Sequence, residues 1–162
     1  MSITTDIVQG WLHPQKVMQR HLARGTSEPF AFSLLVTFLV LVFVSLWPQL
    51  SRQSLLQPEV PMVQRLVAAG LALLASVPVW YGVAALSHWI ALLFGGAGNH
   101  FRARLALFAA LVAVTPAMLL QGLVAGMIGQ GPQLLSVQAL VGLGFVWIWI
   151  SMLRVAERDH AD

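Results

Sequence analysis

Cysteine is absent from this chain of 162 residues. That excludes a disulfide framework, thiolate metal ligands and a cysteine nucleophile, and it leaves the redox compartment unread. Charge is scarce too. Asp, Glu, Lys and Arg make up 9% of the residues, against about 25% in soluble domains, so the chain lacks the surface charge to stay in water. No Walker-type loop, GxSxG or HExxH occurs, which leaves nucleotide, serine-hydrolase and zinc-protease chemistry without a motif. The five histidines are scattered, and no pair has ligand spacing on one helix within an apolar run. The expectation is no catalytic residue, no metal and no cofactor. A membrane enzyme would need His88 and His100 to converge.

What is present is apolar sequence, 58% of the chain. It is gathered into four long runs: 30–47, 66–94, 105–127 and 134–153. A helix of about 20 apolar residues crosses a hydrocarbon core of about 30 Å. The expected fold is therefore all-α, a polytopic membrane helical bundle with four transmembrane helices. Residues 1–29 form a lead and 154–162 a tail. Glu157 to Asp162 reads as a solvated end of mixed charge.

Basic residues orient the bundle. Lys16, Arg20 and Arg24 precede the first run, Arg102 and Arg104 lie between the second and third, and Arg154 and Arg158 follow the fourth. Only Arg52 and Arg65 lie on the other side. The positive-inside bias then predicts both termini in the cytoplasm, in a membrane of the bacterial inner type. The net charge of +3 follows from this placement and does not call for nucleic acid. The first run reads as an uncleaved anchor, because Leu46-Trp47-Pro48-Gln49 is no small-residue cleavage site.

Ile3, Ile7 and Trp11, then Val17, Met18, His21 and Leu22, recur at helical spacing in the lead. Pro14 suits a helix start and Gly25 a stop. This predicts an N-terminal amphipathic interfacial helix of about ten residues, with Lys16, Arg20 and Arg24 toward anionic lipid headgroups. The segment 48–62, with three prolines, should be mostly irregular, with at most one turn around Ser51–Leu56. The cluster Gly129-Gln130-Gly131-Pro132 should make a tight turn.

The second run is the longest, and 29 helical residues extend about 43 Å, so it must tilt, kink or project beyond the core. Pro78 lies near its middle and Pro116 near the middle of the third run. Each proline removes a donor and frees a carbonyl one turn earlier. Ser76 and Thr115 stand where their hydroxyls can compensate. Pro78, Trp80, Tyr81, Pro116 and Gln121 are the residues around which a midplane cavity, and hence a small transporter or channel, would form. Against that reading, no Asp, Glu, Lys or Arg lies inside any run, and ion coupling usually recruits such groups. Kinks that shape a packed bundle are the alternative.

Small residues recur at helical spacing: Ala68, Ala72 and Ser76 on the second run, and the pair Gly122 and Gly126 on the third. Such stripes let helix backbones approach closely. They are the candidate helix-packing residues, within the chain or between chains. Gly95-Gly96-Ala97-Gly98 superficially resembles a phosphate cradle, but it follows an apolar helix and lacks the lysine. It reads as a flexible turn.

The layout also resembles a known family. Leu12-His13-Pro14-Gln15-Lys16-Val17 through Arg20-His21-Leu22, the passage Leu86-Ser87-His88-Trp89-Ile90-Ala91 into Leu92-Leu93-Phe94-Gly95-Gly96-Ala97-Gly98, then Phe101-Arg102, Pro116 and a last span ending Trp147-Ile148-Trp149 are similar to the Yip family of membrane proteins. That is the Ypt/Rab-interacting type, here in its short bacterial form. The resemblance implies a helical membrane bundle without catalysis. Eukaryotic relatives are linked to small GTPases, vesicle traffic and membrane shaping. Bacterial relatives share the fold without that trafficking system, so no GTPase partner is implied. This chain has four runs where eukaryotic relatives commonly have five, and a short lead in place of their long hydrophilic segment. The expected role is a non-enzymatic adaptor, accessory subunit or membrane organiser acting through helix packing. Its expected partners are the anionic bilayer and either a membrane protein or a second copy.

Overall fold

The structure is a computed structural model describing residues 3–23, 25 and 27–158. Every regular element among them is a helix: α1 (Ile3–Leu12), α2 (Pro14–Ala23), α3 (Glu28–Leu56), α4 (Met62–Ala75), α5 (Val77–Leu93), α6 (His100–Met127) and α7 (Pro132–Ala156). Four stretches are long and apolar enough to cross a membrane: α3, α4 with α5, α6 and α7.

The axis of the bundle is α6. Every residue from Leu105 to Thr115 is buried, as expected for a helix apolar on all sides. Five alanines at 103, 106, 109, 110 and 113 keep it slim, and α1, α2, α3, α5 and α7 all pack against it. Its partner α3 buries Ala31, Leu34, Leu35, Phe38, Leu39, Val42 and Ser45, the repeating three- and four-residue step of one helix face. Both helices start on side-chain caps. Ser27 accepts from the Phe30 amide, and Asn99 accepts from the Arg102 amide at 2.9 Å, each satisfying one orphan donor of the first turn. Arg104 of α6 reaches Glu28 of α3, which ties these two starts together.

By contrast α4 buries none of its residues. The junction of α4 with α5 is Ser76, which keeps a helical backbone and closes one helix while opening the next. The Ser76 hydroxyl donates to the Leu73 carbonyl at 2.6 Å and accepts from the Trp80 indole at 3.2 Å. The carbonyl that Pro78 leaves without its amide is that of Leu74, so this hydroxyl secures the neighbouring acceptor and the indole and does not fill the proline's gap. At Pro116 the Thr115 hydroxyl donates to the Val112 carbonyl at 2.7 Å, the acceptor that the proline leaves without its amide.

Three expectations need correction. The segment after Pro48 is not irregular. Instead α3 continues to Leu56, because Pro48 and Arg52 are held against the end of α6. The Arg52 guanidinium donates to the carbonyls of Gly126 and Met127, the last-turn acceptors that a cation at a helix C-terminus satisfies.

In the lead, secondly, the expected short helix is there as α2, with α1 before it, and what differs is where its apolar side lies. Pro14 opens α2, and Gly25 follows its end with φ +81°. These helices pack into the bundle. Val17 and Met18 are buried, and α2 lies on α7 and α6. A Cβ on Gly10 would lie 2.7 Å from the Ala113 side chain, so glycine lets α1 touch the middle of α6. Trp11 lies over Gly144 of α7, and its indole donates to the Ala113 carbonyl at 2.7 Å. The cause is local: a flat aromatic needs a smooth surface, which Gly144 supplies.

Glu157, thirdly, is not a solvated tail residue. It is 7% exposed and closes the bundle against the α5–α6 turn.

Candidate functional site

One end of the bundle carries the turn between α5 and α6 and the end of α7. There Glu157 holds two donors with its two carboxylate oxygens. Oε1 lies 2.8 Å from His88 Nδ1, and Oε2 accepts from the Gly98 amide at 3.0 Å. The Glu157 carbonyl accepts from the Ala97 amide at 2.9 Å. An ionised carboxylate only accepts, so His88 presents N–H at Nδ1. His88 is 5% exposed, and the His100 ring stands edge-on to it at 4.4 Å between centroids.

The glycines of the turn make this approach possible. A Cβ on Gly98 would lie 2.6 Å from Glu157 Oε2 and 2.7 Å from the Ala156 carbonyl, and one on Gly96 would lie 2.9 Å from Oε2. Gly95 has φ +82°, a left-handed conformation that glycine adopts without strain. The cradle-like sequence thus does bind an anion, and the anion is the chain's own carboxylate. The reading of Gly95-Gly96-Ala97-Gly98 as a flexible turn missed this. Two signals were available: an acid directly after the last apolar run, and glycines able to admit it.

Beside this latch lies a cavity of about 830 Å³ between α5 and α7. Both helices pack on α6 and leave a groove between them. Its walls are Val83, Leu86 and Ile90 of α5 and Trp149, Ile150 and Leu153 of α7. Its polar end holds Glu157, Arg154 and Arg158.

The residues expected around a midplane cavity do not line it. Pro78 and Pro116 are exposed on their helices. Trp80 meets Phe38 edge-on at 5.5 Å, and Tyr81 meets Phe108 at 5.3 Å, so both rings fill space between helices. Gln121 is half-buried. Among the described residues, no three His, Asp or Glu side chains are placed to share a metal ion, although His88 and His100 do converge.

The small-residue sets separate into two surfaces. Gly122 and Gly126 face α3 inside the chain. A Cβ on Gly122 would lie 2.8 Å from the Ser45 carbonyl carbon, and one on Gly126 would lie 2.7 Å from that of Pro48. Ala68 and Ala72 are exposed on α4, and Ser76 is half-buried. Of the basic lead residues, Lys16 is exposed, whereas Arg20 donates to the Gln9 side chain and the Lys16 carbonyl. Arg24 lies outside the described residues.

No curated protein and no solved structure matches the chain. The family model for the Yip1 domain matches residues 9–156, nearly the whole chain and the whole of all four candidate spans. That family consists generally of non-catalytic membrane trafficking proteins. This chain, a multi-span helical membrane protein, belongs to the Yip1 family.

Proposed function

We propose that this protein is a non-catalytic adaptor or organiser of a bacterial inner membrane, with both termini in the cytoplasm, working through contacts between membrane helices. The observation that carries the reading is the exposed small-residue face of α4. Inside the chain, close backbone approach is made by Gly10, Gly122, Gly126 and Gly144. Ala68 and Ala72 make no such approach and stay exposed on a span whose most apolar stretch has no buried residue. In lipid, small residues on an outer face favour docking of another helix, because packing rather than hydrophobicity drives association there.

The polar constellation supports the same reading. His88, Glu157 and the turn amides satisfy one another, so they close a structure and leave no reactive group poised. The charge bias is what supports the orientation. Of the two cations on the minority side, Arg52 caps α6, and Arg65 donates to the Gln57 and Val60 carbonyls.

The chain has no native cysteine, so single cysteines report cleanly. Ala72→Cys in native membranes should cross-link to a second chain under mild oxidation or with a short bifunctional thiol reagent. Val36→Cys, exposed on α3, serves as the control. Equal, negligible cross-linking at both positions would remove the support for an α4 contact face.

A further inference from the structure

We infer that the groove between α5 and α7 is a binding site for an anionic phospholipid, with its phosphate on Arg154 and Arg158 and an acyl chain along Val83, Leu86, Ile90, Ile150 and Leu153. This stands apart from the helix-contact reading and survives its failure. Four observations carry it.

The groove is large enough to matter: about 830 Å³ lies within the range of small-molecule sites. Its walls belong to candidate membrane spans, and Leu86, Ile90, Phe94 and Ile150 are between 42% and 87% exposed, so it opens sideways to the bilayer. Charge is confined to one end. There the nearby carboxylate is already engaged, since both Glu157 oxygens hold donors, and the Ser87 hydroxyl donates to the Ala84 carbonyl.

The cations, finally, are available. Arg154 and Arg158 are exposed and make no ion pair or hydrogen bond with the described residues. Arg104 near this end is by contrast engaged: it binds Glu28 and lies 5.6 Å from the Tyr81 ring. Two guanidiniums, one in the last turn of α7 and one just beyond its end, stand at the polar end of an apolar trough and match a phosphate on an acyl chain. Arginine is suited to phosphate because its planar donor fork engages two oxygens at once. A zwitterionic headgroup adds a fixed cation next to the same arginines, so the site discriminates by net charge.

The test uses the full chain released in a mild nonionic detergent. Native mass spectrometry follows titration with phosphatidylglycerol or with phosphatidylcholine of identical acyl chains. One phosphatidylglycerol should be retained in preference to phosphatidylcholine. Arg154→Gln with Arg158→Gln should lower that preference by about fivefold per arginine. Arg154→Lys with Arg158→Lys should keep more of it than the glutamine pair, and Arg102→Gln, away from the groove, should leave it unchanged. Ile150→Trp, which fills the trough, should reduce retention of both lipids. Thermal unfolding of each variant separates a lost site from a lost fold, and the lysine pair decides the matter if the glutamine pair unfolds. Equal retention of the two lipids by the native chain would overturn the site. So would an unchanged preference in the folded glutamine pair, or displacement of the lipid by millimolar inorganic phosphate, which would leave only a surface anion site.

Discussion

Removing the Glu157 carboxylate should loosen the end of the bundle that it closes. In Glu157→Ala the Nδ1 donor of His88 and the amide of Gly98 lose their acceptor together. His88 is 5% exposed, so water does not freely replace the carboxylate at the ring. A buried donor left unpaired costs about 1–3 kcal/mol, and breaking a buried pair from one side costs about 3–5 kcal/mol. Gly98 is half-exposed, so its amide recovers part of its loss from solvent. The expected total is about 3 kcal/mol, a fall in the unfolding midpoint of roughly 6–12 °C for a chain of this size. Glu157→Gln should cost much less, because the amide oxygen still accepts from Gly98 while its NH₂ donates to the other tautomer of His88. Replacing both partners, His88→Leu with Glu157→Leu, should recover part of the loss of Glu157→Ala, since a paired apolar replacement leaves no orphan at the ring. The assay is unfolding of the purified chain in one detergent, followed by tryptophan fluorescence. If Glu157→Ala and Glu157→Gln unfold together within about 1 °C of the native chain, the reasoning about a buried, mutually satisfied latch is wrong.

Other perturbations test other joints. Gly122→Leu drives a side chain into the Ser45 backbone and should separate α3 from α6. The expected effect is failure to accumulate in the membrane, while Gly142→Leu, where a Cβ meets nothing within 4 Å, accumulates normally; immunoblotting of membrane fractions reads both. Trp11→Phe keeps most of the ring contact with Gly144 but removes the donor to the Ala113 carbonyl, so it should destabilise the chain by about 0.5–1.5 kcal/mol and raise protease sensitivity of the lead. A chain in which Trp11→Phe has no effect on either would show that α1 is not seated on α6. Arg52→Ala uncaps the Gly126 and Met127 carbonyls and should speed hydrogen exchange in the last turn of α6 and the first of α7.

The architecture was legible because its signal is long. Runs without charge at the length of a bilayer leave few alternatives, and proline with an adjacent hydroxyl announced the local repair at Thr115. Contacts between distant residues were not legible. The acid after the last run and the glycines of the turn are each visible in the sequence, but nothing there pairs them across 59 residues. Nor does an amphipathic lead reveal whether its apolar side meets lipid headgroups or another helix. Here Gly10 and Gly144 tip that balance toward helix contact, because a side chain at either position would hold α1 away from its neighbours. The α4 stripe shows the same ambiguity. Spacing identifies Ala68, Ala72 and Ser76 as a close-approach face, but only the folded chain reveals that α3, α5, α6 and α7 leave Ala68 and Ala72 uncovered. The groove between α5 and α7 has no sequence signature, since it comes from two helices that both pack on α6.

The most direct test of the proposed role is the composition of the particle that a mild detergent releases from the native membrane, measured by native mass spectrometry. The expected particle holds this chain together with a stoichiometric membrane-protein partner or a second copy of itself, and Ala68→Leu with Ala72→Leu should lose that second chain. A particle containing one copy of this chain and no other protein, under conditions that preserve known membrane complexes from the same preparation, would contradict it.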